Sequence, residues 1–238
     1  MHVLCCLMPE LMLIGTAHVI DLALPLERHI KNFNPDIIAL ELDKQRWLAL
    51  KSNVRKSEGP FYVRLLSRLQ QYLGDYFGST PGAEMMVATK IAQSMGARLA
   101  FIDKLLLLTL RSAWKNMPWK EFCNLITEAL ISLVGGGTLS LNDSIRTGDF
   151  SAELEEFKRQ YPFLKKELID RRDTYMSMNI VKLFRGNNSQ RIVVIVGEGH
   201  LSGMSKKLSS LNPTVVKLSD LLQNSENSVS FSIEIQNS

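Results

Sequence analysis

Cysteine is scarce in these 238 residues, and the three present, Cys5, Cys6 and Cys123, include no C-x-x-C pair. That excludes a disulfide-stapled domain and a cysteine zinc site, and it fits reduced thiols in the cytoplasm. Charge of one sign is also lacking: 28 basic residues stand against 24 acidic ones, a net +4, with no dense basic stripe carrying interleaved aromatics. Nucleic acid is therefore not an expected partner. Long uncharged apolar runs are missing as well. The richest, "FIDKLLLLTLRSAW", is broken by Asp103, Lys104 and Arg111, short of the roughly 18 residues a membrane span needs. The apolar start "MHVLCCLMPELMLIG" has no basic leader and reads as a lead-in to a core strand, not a signal peptide. Repeats of 20 to 50 residues are absent.

Four short apolar runs are present: "LMLIG" (11–15), "DIIALEL" (36–42), "RLAFID" (98–103) and "RIVVIVG" (191–197). Continuous aliphatic runs of this length predict parallel strands covered on both faces. Between the first two, "LPLERHIKNFN" has helical spacing and stops before Pro35, which makes a β-α-β unit with a right-handed crossover. Helices are also expected over "DKQRWLALKSN", "GPFYVRLLSRLQQYLGDYF" and "TPGAEMMVATKIAQSMG", the last capped by Thr80 and closed at Gly96. Residues 105–185 show no strand pattern and predict a large helical insertion between the third and fourth core strands, broken by the glycine-rich loop 134–140. Residues 212–222 suggest a final strand and short helix, and 223–238 a polar tail. The expected fold class is thus α/β, a central, mainly parallel sheet flanked by helices, in a single domain spanning 1–238.

The polar residues fall at the strand ends. His18 lies three residues past Gly15, His200 three past Gly197, and Glu41 and Asp103 close the second and third strands. In an open parallel sheet, ligands bind beyond the carboxyl ends of the strands, so residues distant in sequence can converge there. The two motif glycines are expected to supply backbone angles denied to other residues. Two neutral imidazoles and a carboxylate make a divalent-metal set, with Glu41 as third ligand and zinc, manganese or cobalt as candidates. Asp103 or Glu84 would orient a histidine or take a proton. The bland alternatives are a structural histidine after a strand and carboxylates that cap the helix starting near Lys44. For Asp43 capping is the preferred reading. "GEGHLSG" also has the look of a phosphate-binding turn, without the full G-x-G-x-x-G.

The stretches "GTAHV", "PDIIALELDKQRWLAL", "PGAEMMVATKIAQSMGARLAFIDK" with "TLRSAW", "LIDRRDTYM" and "VVIVGEGHLSGM" resemble, in order and style, the TraB proteins named for plasmid pheromone shutdown, over about residues 11–204. TraB proteins are similar to the Tiki metal-dependent peptidases and, more distantly, to erythromycin esterases and ChaN-like proteins. The resemblance implies a shared α/β scaffold in which His18, His200 and Glu41 form the active centre. It adds Arg46 to the same glutamate-arginine motif, Glu84 from Pro-Gly-x-Glu and Arg172 from "DRRD". This chain departs from the pattern at Lys104, where relatives often carry arginine, and at Arg171, where an acid is commoner. Lysine lacks the planar fork that grips a carboxylate twice, so substrate preference is expected to differ. Arg46, Arg111 and Arg172 would stabilise a substrate carboxylate or oxyanion.

The expectation is a metal-dependent hydrolase of peptide or amide bonds acting on a peptide or small molecule. The alternatives are a metal-independent His/Glu esterase-like hydrolase and a non-catalytic peptide-binding regulator. Many prokaryotic members continue into a membrane-embedded C-terminal region, so membrane association through such a region stays open beside a cytoplasmic chain, as does a homo-oligomer.

Overall fold

The computed structural model describes residues 9–17, 22–52, 83–135, 151–186 and 191–223. The helix expected over "GPFYVRLLSRLQQYLGDYF", the Thr80 cap, most of the loop 134–140, the polar tail and His18 lie outside the described residues.

Strand β1 (Glu10–Thr16) leads to helix α1 (Ala23–Phe33), β2 (Ile37–Leu40) and α2 (Lys44–Ser52). Next come α3 (Ala83–Met95), β3 (Arg98–Phe101), α4 (Leu106–Asn116) and α5 (Trp119–Gly135). Helices α6 (Ser151–Gln160) and α7 (Pro162–Lys165), a π turn (Lys166–Asp170) and α8 (Arg171–Gly186) precede β4 (Arg191–Gly197). Helix α9 (Glu198–Lys207), a 3-10 turn (Ser209–Leu211) and β5 (Thr214–Val216) follow. The five strands form one parallel sheet in the order β3-β2-β4-β1-β5. Between β3 and β4 every described element is helical.

The central strands β2 and β4 are buried on both faces, as their continuous aliphatic character requires, while the edge strands β3 and β5 are more exposed. Alternation decides which side each residue meets. Ile14, Ile38, Leu40, Val193 and Ile195 pack with α1 and α3 through Leu26, Ile30, Met85 and Ala88. Leu13, Ile37, Ala39, Val194 and Val196 pack on the opposite face with α8 and α9 through Met176, Ile180, Leu201 and Met204. Helix α1 buries Leu26, Ile30 and Phe33 on one stripe and stops at Asn34, whose left-handed φ of 48° lets its N–H bond the carbonyls of Ile30 and Lys31. Pro35 then forbids another turn. Gly96 closes α3 at φ 70°, where glycine is favoured.

This alternation sets the site. Helix α1 leaves β1 for one face and α9 leaves β4 for the other, so the chain diverges on either side of β4 at the carboxyl edge of the sheet. Such a divergence opens a crevice beyond the strand ends. The register Gly15↔Val196 and Thr16↔Gly197 brings the two motif glycines to the same end of adjacent strands.

Candidate active site

Glu41 is the first residue after β2, and parity with Ile37 and Ala39 turns it toward the α8/α9 face. Its main-chain N–H still bonds the Ile195 carbonyl, 3.0 Å away, which anchors it beside β4. One carboxylate oxygen, Oε2, accepts the N–H of Gly197 at 2.7 Å. The other, Oε1, accepts Nη2 of Arg172 and lies 3.3 Å from Nε2 of His200. The His200 approach is ion-pair contact without hydrogen-bond geometry, since Nε2 is buried with no hydrogen-bond partner. On its far side the ring donates from Nδ1 to Oδ1 of Asp173 at 2.6 Å. Glu41, Arg172, Asp173 and His200 are each 1% exposed. A carboxylate, an imidazole and a second carboxylate therefore stand in line inside the protein, with a guanidinium at one end.

Asp103 extends the cluster. It accepts Nη2 of Arg172 at 2.7 Å and Nε at 3.2 Å, and Nη2 of Arg46 at 2.7 Å. Arg46 also donates to the Glu41 carbonyl at 3.0 Å and to Asp43 at 2.9 Å, so it reaches Glu41 through the main chain and not the carboxylate. Asp43 caps α2 by accepting the N–H groups of Gln45 and Arg46 at 2.9 and 3.0 Å. Burying this many charges is tolerable only because each carboxylate meets a cation or a main-chain donor.

Two consecutive residues at the start of α8, just after the π turn, face inward. Arg172 then lies beneath Leu168, whose carbonyl accepts its Nη1 at 3.2 Å, while Asp173 takes the neighbouring row of Ile169, Met176 and Ile180. Asp173 is the site residue that the strand-end reasoning overlooks. A signal was there, because a carboxylate interrupts an apolar stripe at i, i+4, i+7 and i+11.

Two glycines permit the assembly, for a reason other than the one expected. Gly197 has φ −59° and ψ 144°, angles open to any residue, and Gly15 is not in the left-handed region. The constraint is close approach instead. A Cβ on Gly203 would lie 1.9 Å from Oδ2 of Asp173, and one on Gly15 would lie 1.9 Å from Oε2 of Glu198. Gly203 stands three residues after His200 on α9, so its missing side chain lets α8 bring Asp173 under the imidazole. Gly203→Ala is expected to displace that carboxylate and cost roughly 1–3 kcal/mol of stability. Thermal unfolding checks this, and an unchanged melting temperature contradicts it.

The electrostatics follow from burial and pairing. Burial alone would drive the proton off His200, but Glu41 and the Asp173 hydrogen bond outweigh it and the Arg172 charge, lifting the ring to about 9. Burial opposes charge on Glu41 too, yet His200, Arg172 and the Gly197 N–H hold its carboxyl well below the usual carboxylate range. Burial pushes Asp173 up, only partly offset by His200. Arg172 stays charged, because Asp103 and Glu41 overcome its burial. The His200 contribution to stability is complete below the unfolded value near 6.5 and is lost as pH rises through about 9. Chelator-treated protein is expected to lose stability between pH 7 and 10, and His200→Gln should flatten that slope. Urea titrations at several pH values measure both.

Of the other expected residues, Glu84 is buried at the start of α3, whose apolar contacts lie on the opposite face from α8 and α9. Arg111 is exposed on α4. His18, two residues beyond the last paired position of β1, lies outside the described residues. Among the described residues no three of His, Cys, Asp and Glu form a metal-holding group. No helix among them is long and apolar enough to cross a membrane.

Comparison with known proteins gives the family. The model of the TraB/PrgY/gumN family matches residues 9–213, a span that holds β1 to β4 and every charged group of the cluster. An uncharacterized protein of Methanocaldococcus jannaschii is 32% identical over 232 residues, an alignment that takes in 90% of this chain and 57% of that protein. The chain thus spans little more than half the length of that relative. With the family match running over most of its length, this chain belongs to the TraB/PrgY/gumN family.

Proposed function

We propose that the chain is a hydrolase of peptide or amide bonds that works at the Asp173–His200–Glu41 line, with a divalent cation held by His200 and Glu41 and completed by His18. The observation that carries this reading is the 3.3 Å between His200 Nε2 and Glu41 Oε1. Nitrogen and oxygen ligands about 2.0–2.1 Å from a tetrahedral ion stand roughly 3.3–3.4 Å apart, so the pair fits one edge of such a site. Asp173 on Nδ1 matches the carboxylate–histidine arrangement that commonly supports a ligand histidine. Charge supports it too. With neutral His200, the four carboxylates of Glu41, Asp43, Asp103 and Asp173 exceed Arg46 and Arg172 by two, which one dication balances.

A bound cation of this kind supplies a Lewis acid and an acidic water. The protein's own groups do the rest. Asp173 holds the ring so that Nδ1 carries the proton and Nε2 faces Oε1 of Glu41. The Gly197 N–H and Arg172 hold both oxygens of Glu41, and Arg172 with Asp103 keeps the buried charge near balance. The test is elemental analysis of protein purified without chelator, paired with an assay on mixed peptides. One divalent ion per chain is expected, lost with His200→Ala, and turnover should stop in chelator and return on adding the metal. Metal-free protein with full turnover would refute the cation.

A second reading has its own observation: Arg172 shares Oε1 of Glu41, the oxygen a cation would need. Without metal, the ring at about 9 is an imidazolium at neutral pH. It would serve as a general acid in an esterase-like hydrolysis. Activity indifferent to chelator selects this mechanism.

A further inference from the structure

Outside the buried cluster, the π turn and the start of α8 border an open groove of about 740 Å³. Its charge is lopsided. Lys104, Lys158, Lys165, Lys166 and Arg171 line it against a single carboxylate, Asp170. Three of these cations already have acidic partners: Lys165 on Asp170, Arg171 on Glu167 and Lys158 on Glu155, with N···O distances of 2.6–2.7 Å. Lys166 is exposed, and Lys104 lies 5.8 Å from the centre of the Tyr175 ring. The remaining lining is apolar in part: Tyr175 and Met178 are 41% and 54% exposed, large values for such side chains.

The groove shares a wall with the cluster. Lys104 directly follows Asp103 and Arg171 directly precedes Arg172, so in each pair one side chain turns inward and its neighbour lines the groove. Adjacent Cα atoms are about 3.8 Å apart, which leaves one layer of main chain between the two spaces.

We propose that this groove binds a short acidic peptide segment, with its carboxylates on Lys104 and Lys166 and its apolar side chains on Tyr175 and Met178. Several features favour a peptide over a bare anion. The cations come from three separate segments instead of converging on one point, apolar surface lies among them, and the volume suits several residues. Lys104 sits over one face of the Tyr175 ring, and the groove offers no row of aromatic rings of the kind a nucleic-acid strand stacks on. As the site for residues flanking a scissile bond, the groove rests on the peptide-hydrolase reading; as a binding site it does not.

The experiment is a fluorescence-anisotropy titration of the full chain with a labelled hexapeptide alternating Glu and Leu, beside Lys/Leu and Glu/Ser counterparts and inorganic phosphate as competitor. The Glu/Leu peptide should bind at least 10-fold more tightly than either counterpart, weaken with added salt and resist millimolar phosphate. The variant Lys104→Glu/Lys166→Glu, the first residue half-buried and the second exposed, should lose 10-fold or more in affinity with an unchanged circular-dichroism spectrum. Equal affinity for the three peptides, indifference of the double variant or full displacement by phosphate overturns the proposal. Binding without cleavage keeps the groove and removes the hydrolase; cleavage that ignores the double variant does the reverse.

Discussion

Arg172→Met is expected to cost about 3–5 kcal/mol of folding stability, the range found when one member of a buried charge network is removed. The guanidinium bonds Glu41 and Asp103 at once from a position 1% exposed. Methionine fills similar space but leaves both carboxylates facing only Arg46, His200 and main-chain donors. Glu41 then loses one of the charges that hold its carboxyl low, so it should bind a proton more readily and the loss should shrink as pH falls. Arg172→Lys should recover only part of the stability, because an ammonium cannot present Nε and Nη2 to Asp103 together with Nη2 to Glu41. Urea unfolding at pH 7 and pH 5 provides the measurement. A loss below about 1 kcal/mol at pH 7 would show that the network is far better solvated than its burial implies.

Glu41→Gln is the second large effect, and it reaches both chemistry and folding, since one amide oxygen must replace two carboxylate oxygens that accept from Arg172 and Gly197. The amide keeps the size of the side chain and leaves the strand register alone. It removes the charge that sustains the proton on His200 and that a cation would require. On the hydrolase reading proposed above, turnover should fall by about 100-fold or more, in line with the loss of a metal ligand or of an acid–base partner. The His200 ring should titrate at a lower pH than about 9, because Glu41 is the strongest influence holding its proton. Steady-state kinetics and NMR titration of the ring report the two effects. Wild-type turnover in this variant would end any role for Glu41 in the reaction.

The candidate site was only partly legible in the chain. Glu41, Asp103 and His200 could be found because each follows an apolar run, and parallel strands deliver their ends to one edge. Asp43 was readable as a cap from its place one residue before α2. Glu84 and Arg111 show what such reasoning lacks: helix order says nothing about which face of the sheet a helix covers. Asp173 escaped notice because a helix carries charges all around it, and only a packed neighbour shows which one is buried.

By itself the sequence determined the local features: where aliphatic runs make strands, where Asn34 with Pro35 and Gly96 stop helices, and where chemistry-bearing side chains leave the strands. These depend on period, backbone angle and solubility, which short stretches control. The tertiary structure alone decided that α8 and α9 would meet on one face closely enough for Asp173 to reach His200, with Gly203 as the gap between them. It also decided that Arg172, 131 residues after Glu41, would neutralise it. Both outcomes depend on desolvation and contact between distant segments, energies that do not exist until the sheet has both its faces covered.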